Sequence, residues 1–293
     1  MTRILLDKTV LEASLDRIRW LYDEFPVVIV TSSGGKDSTI ALNLAIQVAR
    51  EKGRLPVDVA FFDQEAEWEG TIEYQRRTAK RPEVRMHWFQ VPFKTSNSSS
   101  SRKEWLHCWG PGEKWMRERE PDSIHEADLG TDRFHKAFAG IAKHIAGDQP
   151  CATLTGMRSE ESPMRMIATT TQDRYKGVTW AKKDNAKLGH YAFHVIYDWG
   201  YRDVWKAIHD HGWDYCKIYD KMYQLGVPTR AMRISGLTHE VALTSLRLLQ
   251  EAEPHTWDAL THRLPGIHTC GNFGKDFFPS KLPEMFAAWG EYR

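Results

Sequence analysis

Val27-Val28-Ile29-Val30-Thr31 is a β-branched run without polar alternation, and it leads straight into Ser32-Ser33-Gly34-Gly35-Lys36-Asp37-Ser38. Such a run suits a strand covered on both faces, the usual condition in a parallel sheet. The helical pattern that follows places Ile40, Ala41, Leu44, Ala45 and Val48 on one stripe. It ends at Gly53 and Pro56, before a second apolar run over residues 57–62. Strand, helix and strand in that order make a βαβ unit, which requires parallel strands joined by a crossover.

The cycle repeats less cleanly downstream. A helix is expected over 66–80, a strand over 84–91, a helix over 132–146 carrying Phe134, Phe138, Ile141 and Ile145, and a strand over 151–155. A further apolar segment covers 191–197. The expected fold is therefore α/β, a doubly wound parallel sheet of about five strands with a helical C-terminal appendage. The appendage is read from helical stretches near 201–211, 217–225, 240–251 and 256–263. Residues 1–235 are expected to form the nucleotide-binding domain, with 236–293 packed on it as an extension. At the N-terminus, Thr9-Val10-Leu11-Glu12 has the capping-box pattern, and Leu11, Leu15, Ile18 and Leu21 recur at helical spacing until Pro26. Residues 94–121 break the pattern, with a serine-rich tract followed by Trp105, Trp109 and Trp115 among charges, as functional or mobile loops do.

A chain of 293 residues with 41% apolar content can bury a full core. Its formal charge of +1 provides no global field toward nucleic acid or anionic membranes, so a nucleic-acid partner would need a local patch. The apolar runs fall far short of the roughly 20 residues of a membrane span, so a soluble, cytoplasmic protein is expected. Cys108, Cys151, Cys216 and Cys270 form no CxxC pair, and no iron–sulfur cluster or zinc knuckle is expected. Cys151, in the apolar run before Gly156, reads as core.

The chemistry is concentrated in Ser33-Gly34-Gly35-Lys36-Asp37-Ser38. Two glycines allow a tight turn and close backbone approach to an anion, while the N–H groups and dipole of the helix that follows favour phosphate. Lys36 adds a point charge and Ser38 a hydroxyl. The segment is neither GxxxxGK[ST] nor GxGxxG, which weighs against a P-loop kinase and against a dinucleotide-dependent hydride transferase. After the fourth strand comes Gly156-Met157-Arg158-Ser159-Glu160-Glu161-Ser162. Arg158 can fork onto phosphate oxygens, and Glu161 can orient that arginine or hold a hydrated metal, although a surface Arg–Glu pair has the same letters. Asp63 and Glu65 follow the second strand, on the rim where open α/β sheets bind ligands, and fit either ligand contact or a loop cap. The segment 195–199, with Asp203 and Trp205, fits a structural corner or a ligand contact equally well.

The Ser33–Ser38 loop resembles the PP-loop of N-type ATP pyrophosphatases, and Gly156 to Ser162 resembles the GxRxxES motif of their sulfonucleotide-reductase-like members. Asp63-Gln64-Glu65, Cys108-Trp109, the stretch 219–227 beginning with Tyr219, and Met232-Arg233 are similar to the subgroup labelled phosphoadenosine-phosphosulfate-reductase-like. The resemblance covers roughly residues 20–265. It implies an adenine nucleotide α-hydrolase-like fold and ATP as ligand, held by Ser32, Ser33, Gly34, Gly35, Lys36, Asp37, Ser38, Asp63, Gly156, Arg158 and Ser162. Lys36, Asp37, Arg158 and Glu161 are the candidate catalytic residues, with Asp37 and Glu161 as candidates for Mg²⁺. The implied activity is cleavage of ATP between its α- and β-phosphates to adenylylate an acceptor for sulfur incorporation, as in DNA phosphorothioation. Implied partners are a cysteine desulfurase or a ParB-like protein, and DNA through the stretch 94–119 that runs from Lys94 to Arg119. Two alternatives accompany it: a sulfonucleotide reductase using Cys270, and a nucleotide-binding transcriptional coactivator. A reductase is expected to carry a Glu-Cys-Gly-Leu-His tail, of which only Cys270-Gly271 matches here, with His268 nearby to lower the thiol pKa.

Overall fold

The structure is a computed structural model, and it describes residues 7–97, 104–170, 175–234, 236–238, 246–264 and 266–268. Its helices are α1 (Val10–Glu24), α2 (Lys36–Glu51), α3 (Glu69–Ala79), α4 (Ala137–Ala146), α5 (Pro163–Thr170), α6 (Tyr201–Asp210), α7 (Ile218–Gln224), α8 (Leu246–Ala252) and α9 (Pro254–Arg263). The strands are β1 (Val27–Thr31), β2 (Val57–Phe62), β3 (Val84–Phe89), β4 (Phe93–Ser96), β5 (Trp105–Cys108), β6 (Cys151–Leu154), β7 (Ala181–Asn185) and β8 (His190–Phe193).

The main sheet has the order β3-β2-β1-β6-β8-β7. The first five of these run parallel, and β7 pairs antiparallel with β8 at the edge. β1 is central, with Ile29 opposite Asp58 on one side and Thr153 on the other. Alternate residues of β1 enter opposite layers: Ile29 joins a core with α4 and the C-terminal helices, while Val28 and Val30 join one with α1, α2 and α6. That two-sided burial is why the run is apolar without alternation. The fold is thus the doubly wound α/β sheet expected, with one antiparallel strand added.

Two elements lacked a periodic signal. β7 reads Ala-Lys-Lys-Asp-Asn, the polar composition of an edge strand that must resist further pairing. β4 and β5 pair as a separate two-stranded ribbon, Phe93 opposite Cys108, inside the stretch read as one long loop. The α1 capping box is formed in full: the Glu12 N–H donates to Thr9 Oγ1 at 3.2 Å and the Thr9 N–H to Glu12 Oε2 at 2.9 Å. Among the described residues no helix is long and apolar enough to cross a membrane.

The C-terminal helices are joined to the sheet by buried charge as well as by Leu246, Leu249, Trp257 and Leu260. The Glu253 carboxylate accepts the N–H groups of Glu69 (2.8 Å) and Gly70 (2.9 Å), capping α3 from a distant part of the chain. Arg263 at the end of α9 pairs with Glu65 at 2.7 Å, with side-chain exposures of 8% and 0%. Removing one member of a buried pair strands the other charge. Arg263→Met is therefore expected to lower unfolding free energy by about 3 kcal/mol, read as a lower urea midpoint; an unchanged midpoint refutes this anchoring role.

Candidate nucleotide site

The loop between β1 and α2 is shaped by its glycines and tied down by its hydroxyls. Gly34 has φ +72°, and a Cβ there would lie 2.7 Å from Thr71 Cγ2, so the left-handed turn and the α3 contact both require glycine. Gly35 is the α2 N-cap. Ser38 Oγ accepts the Ser33 N–H (3.2 Å) and donates to the Gly35 carbonyl (2.9 Å). Ser32 Oγ is bound by Gln75 Nε2 at 2.8 Å, so the loop is fixed to α3. The first-turn N–H groups of α2 lack intrahelical acceptors by construction, and the Lys36 N–H donates to Tyr219 Oη at 3.1 Å.

Lys36 is 3% exposed, and its ammonium donates to the Met232 carbonyl (3.0 Å) and Asp37 Oδ2 (3.3 Å). Burial pushes its pKa down, and Asp37 opposes that shift. Arg158 arrives from the end of β6 and donates Nε to Asp37 Oδ1 at 2.6 Å and Nη1 to Glu160 at 3.0 Å. The approach depends on Gly156, since a Cβ there would lie 2.6 Å from both the Asp37 carbonyl carbon and the Ser38 nitrogen. The two motifs therefore meet backbone to backbone.

Glu161 accepts the Arg158 N–H at 3.2 Å and pairs with Arg165, while its carbonyl accepts from Arg233 at 2.9 Å. Burial lowers the Arg165 pKa, and neighbouring Arg233 lowers it further. Lys36, Arg158, Arg165 and Arg233 thus gather around Asp37, Glu160 and Glu161. Arg165 carries no expectation from the motif reading, and Tyr219, Met232 and Arg233 belonged only to segments of resemblance. Tyr219, Met232 and Arg233 reach the loop because α7 and the turn-rich stretch after it fold back over it, and Arg165 because α5 starts beside Glu161. Ser162 Oγ accepts the Arg165 N–H at 3.2 Å and so starts α5.

Asp63 lies apart from this cluster. Its carboxylate, fully buried, accepts from the Glu65 N–H (2.9 Å), Trp88 (2.8 Å), Gln90 (3.0 Å) and Arg117. Glu65, at φ +68°, accepts from the Trp109 N–H (2.9 Å), the Met116 N–H (3.3 Å) and Arg263. Both carboxylates organise the rim from within. Trp109 is fully buried, with its indole donating to the Asp63 carbonyl at 2.9 Å, so within the 94–119 stretch this ring offers no face for stacking. Trp105 is 36% exposed beneath Arg133, 3.6 Å from its ring centroid. The 195–199 segment is the structural corner: Arg17 pairs with Asp198 (2.8 Å and 2.5 Å) and the Trp199 indole donates to Ser14 (2.8 Å). The Trp199 carbonyl in turn accepts from Arg158 at 3.3 Å.

The donor set does not fit Mg²⁺ held by protein alone. Asp37 and Glu161 already carry guanidinium and ammonium partners, and among the described residues no three His, Cys, Asp or Glu side chains are placed to hold one metal ion. Cys108, Cys151 and Cys216 are buried; burial pushes Cys151 and Cys216 up to about 12 and Cys108 well above its ordinary value, which suits inert thiols. Cys270 lies outside the described residues.

A profile described as phosphoadenosine phosphosulfate reductase domain matches residues 27–226. The protein YbdN of Escherichia coli is 30% identical over 282 residues, spanning 92% of this chain and 68% of that protein. Two solved structures are similar more faintly. One is a phosphoadenylyl-sulfate reductase from Candida auris in a phosphate complex, at TM-score 0.41 and 14% identity over 75% of this chain and 94% of that one. The other is FMN adenylyltransferase from Candida glabrata, with FMN and an ATP analogue, at TM-score 0.44 and 11% identity over 74% of this chain. This chain spans only 63% of the adenylyltransferase, and both likenesses are too slight to carry an argument.

Gly156→Ala is expected to destabilise the fold by about 2 kcal/mol through overpacking at the α2 start. A denaturation midpoint equal to that of wild type would show that the junction yields freely. Glu67 supplies a pH prediction: burial, reinforced by the Asp63 charge, pushes its carboxyl up from 4.5 to about 8. The native state therefore keeps a proton that the unfolded chain releases, and stability is lost as pH rises through that window. Relative to wild type, Glu67→Gln is expected to gain on the order of 3 kcal/mol between pH 5 and pH 8 in urea titrations. A pH-independent difference would contradict the buried, protonated assignment.

Proposed function

The chain belongs to the phosphoadenosine phosphosulfate reductase domain family, and on that premise we propose that it is an ATP pyrophosphatase that cleaves between the α- and β-phosphates. The observation that supports this reading best is the meeting of the Ser33–Ser38 loop with Gly156 and Arg158, which draws Lys36, Arg158, Arg165 and Arg233 around one helix N-terminus. A helix start of this kind favours bound phosphate, and a cluster of cations favours a leaving group whose charge grows.

In this reading the β- and γ-phosphates of ATP lie on Ser33 to Ser38. An acceptor oxygen attacks the α-phosphorus, the bond to the bridging oxygen breaks, and pyrophosphate departs with the electron pair. When ATP binds, Lys36 and Arg158 exchange part of their pairing with Asp37 for oxygens of the β- and γ-phosphates, so the charges are in place before the bond breaks. Asp37 and Glu161 hold the cations in register, and Ser32 and Ser38 hold the loop. The terminal persulfide sulfur of a donor of the cysteine desulfurase class then attacks the adenylylated acceptor, AMP leaves with the electron pair, and a thiol reductant cleaves the remaining S–S bond to free the donor cysteine. The acceptor proposed is a DNA backbone, by analogy with the phosphorothioation relatives that the motifs resemble; a ParB-like protein is the alternative partner. The working unit proposed is a PP-loop domain over 1–235, followed by a C-terminal extension from 236.

Electrostatic groups of this kind each contribute about 2–4 kcal/mol to a transition state. Pyrophosphate release from ATP, measured with and without added DNA, is therefore expected to fall roughly a hundredfold or more in Lys36→Ala and to persist in Cys270→Ser. No release from wild type under either condition would overturn the proposal, and Cys270-dependent sulfite release from an adenylyl sulfate would replace it with reduction.

A further inference from the structure

From the start of α2, a ligand can extend along the sheet rim in two directions, across the ends of β2 and β3 or across those of β6 and β8. Toward β2 the hydrogen-bonding groups are consumed. Asp63 is closed by Glu65, Trp88, Gln90 and Arg117, and Glu65 by Trp109, Met116 and Arg263. Toward β6 and β8 they are not. There Thr155 and His194 extend the strand ladder by one residue, with the Thr155 N–H donating to the Phe193 carbonyl at 2.9 Å. Their side chains meet at 2.7 Å between Thr155 Oγ1 and His194 Nδ1.

Thr155 immediately precedes Gly156, whose α-carbon rests on Asp37 and Ser38, so the pair adjoins the phosphate loop directly. Thr155 is half-buried, and among the described residues His194 Nε2 makes no hydrogen bond. Burial pushes the His194 pKa down to about 4, with the charges of Lys182 and Arg165 adding to the shift. The ring is therefore uncharged near neutral pH, a poor general base and a poor anion binder, but a competent hydrogen-bond partner. Lys36, Arg158, Arg165 and Arg233 already match phosphate. An uncharged donor–acceptor pair bordering such a cluster matches the uncharged part of the same molecule.

We propose that Thr155 and His194 form the nucleoside-recognising edge of the site, hydrogen-bonding the sugar or base of a nucleotide whose phosphates lie on the Ser33–Ser38 loop. This rests on the nucleotide reading above and adds which residues select the nucleoside. The test is calorimetric titration of the full chain with ATP and, separately, with inorganic pyrophosphate, for wild type, His194→Ala, His194→Gln and Thr155→Val. His194→Ala and Thr155→Val are expected to weaken ATP roughly five- to tenfold, the loss of about one neutral hydrogen bond, and to leave pyrophosphate binding unchanged. His194→Gln, which keeps the wall filled and a polar amide, is expected to fall between wild type and His194→Ala. Equal weakening of both ligands would mean that the pair merely supports the loop, and unchanged ATP binding in every variant would remove it from the site; either overturns the inference. Folded wild type that binds pyrophosphate but not ATP would instead overturn the nucleotide reading itself, and this inference with it.

Discussion

Asp37 and Arg158 stand 121 residues apart in the chain and meet at 2.6 Å, with side-chain exposures of 16% and 5%. A buried ion pair does not stabilise a fold merely by existing, because desolvation of both partners offsets much of the attraction. Its geometry has to be supported, and much of the surrounding structure does that. Gly156 brings the β6 exit onto the α2 backbone, the Trp199 carbonyl and Glu160 take the other face of the guanidinium, and Arg17 holds the corner that presents Trp199. The pair sits where the strand order reverses between β1 and β6, the place where an open α/β sheet leaves a crevice at its carboxyl edge.

On the β2 side of that crevice, the protein supplies its own ligands. Asp63 and Glu65 hold Trp88, Gln90, Arg117, Trp109 and Arg263, so the tryptophan-rich stretch and the last helix become part of the rim. Glu67 beside them keeps its proton because the interior cannot accommodate another negative charge next to Asp63. The result is an asymmetric rim, with one side internally satisfied and the other retaining the Thr155–His194 pair with hydrogen-bonding capacity to spare.

The cores on the two faces of the sheet were legible before any coordinates, because burial on both faces leaves its mark in runs such as Val27 to Thr31 and in the stripe from Ile40 to Val48. The α1 capping box was legible for the same reason: its partners are three residues apart. β7 was not, since an edge strand is selected to look polar. Nor was the β4–β5 ribbon, whose pairing depends on a cross-chain register that local composition does not encode. Trp109 misled because a tryptophan among charges reads as surface, whereas its neighbours in space, Asp63 and Glu65, are what bury it.

By itself the sequence determined the glycine-rich Ser33–Ser38 loop, the β1–α2–β2 unit around it, and the second motif that follows β6. Each of these rests on residues adjacent in the chain, whose spacing is the physical requirement. Only the tertiary structure decided which charges face one another. It turned Asp63 inward, placed Tyr219, Met232 and Arg233 beside Lys36 and Arg165 beside Glu161, and set His194 against Thr155. Electrostatic and hydrogen-bonding roles depend on distances of a few ångströms between segments remote in sequence, and burial, which sets the His194 and Glu67 titrations, exists only once the layers have closed.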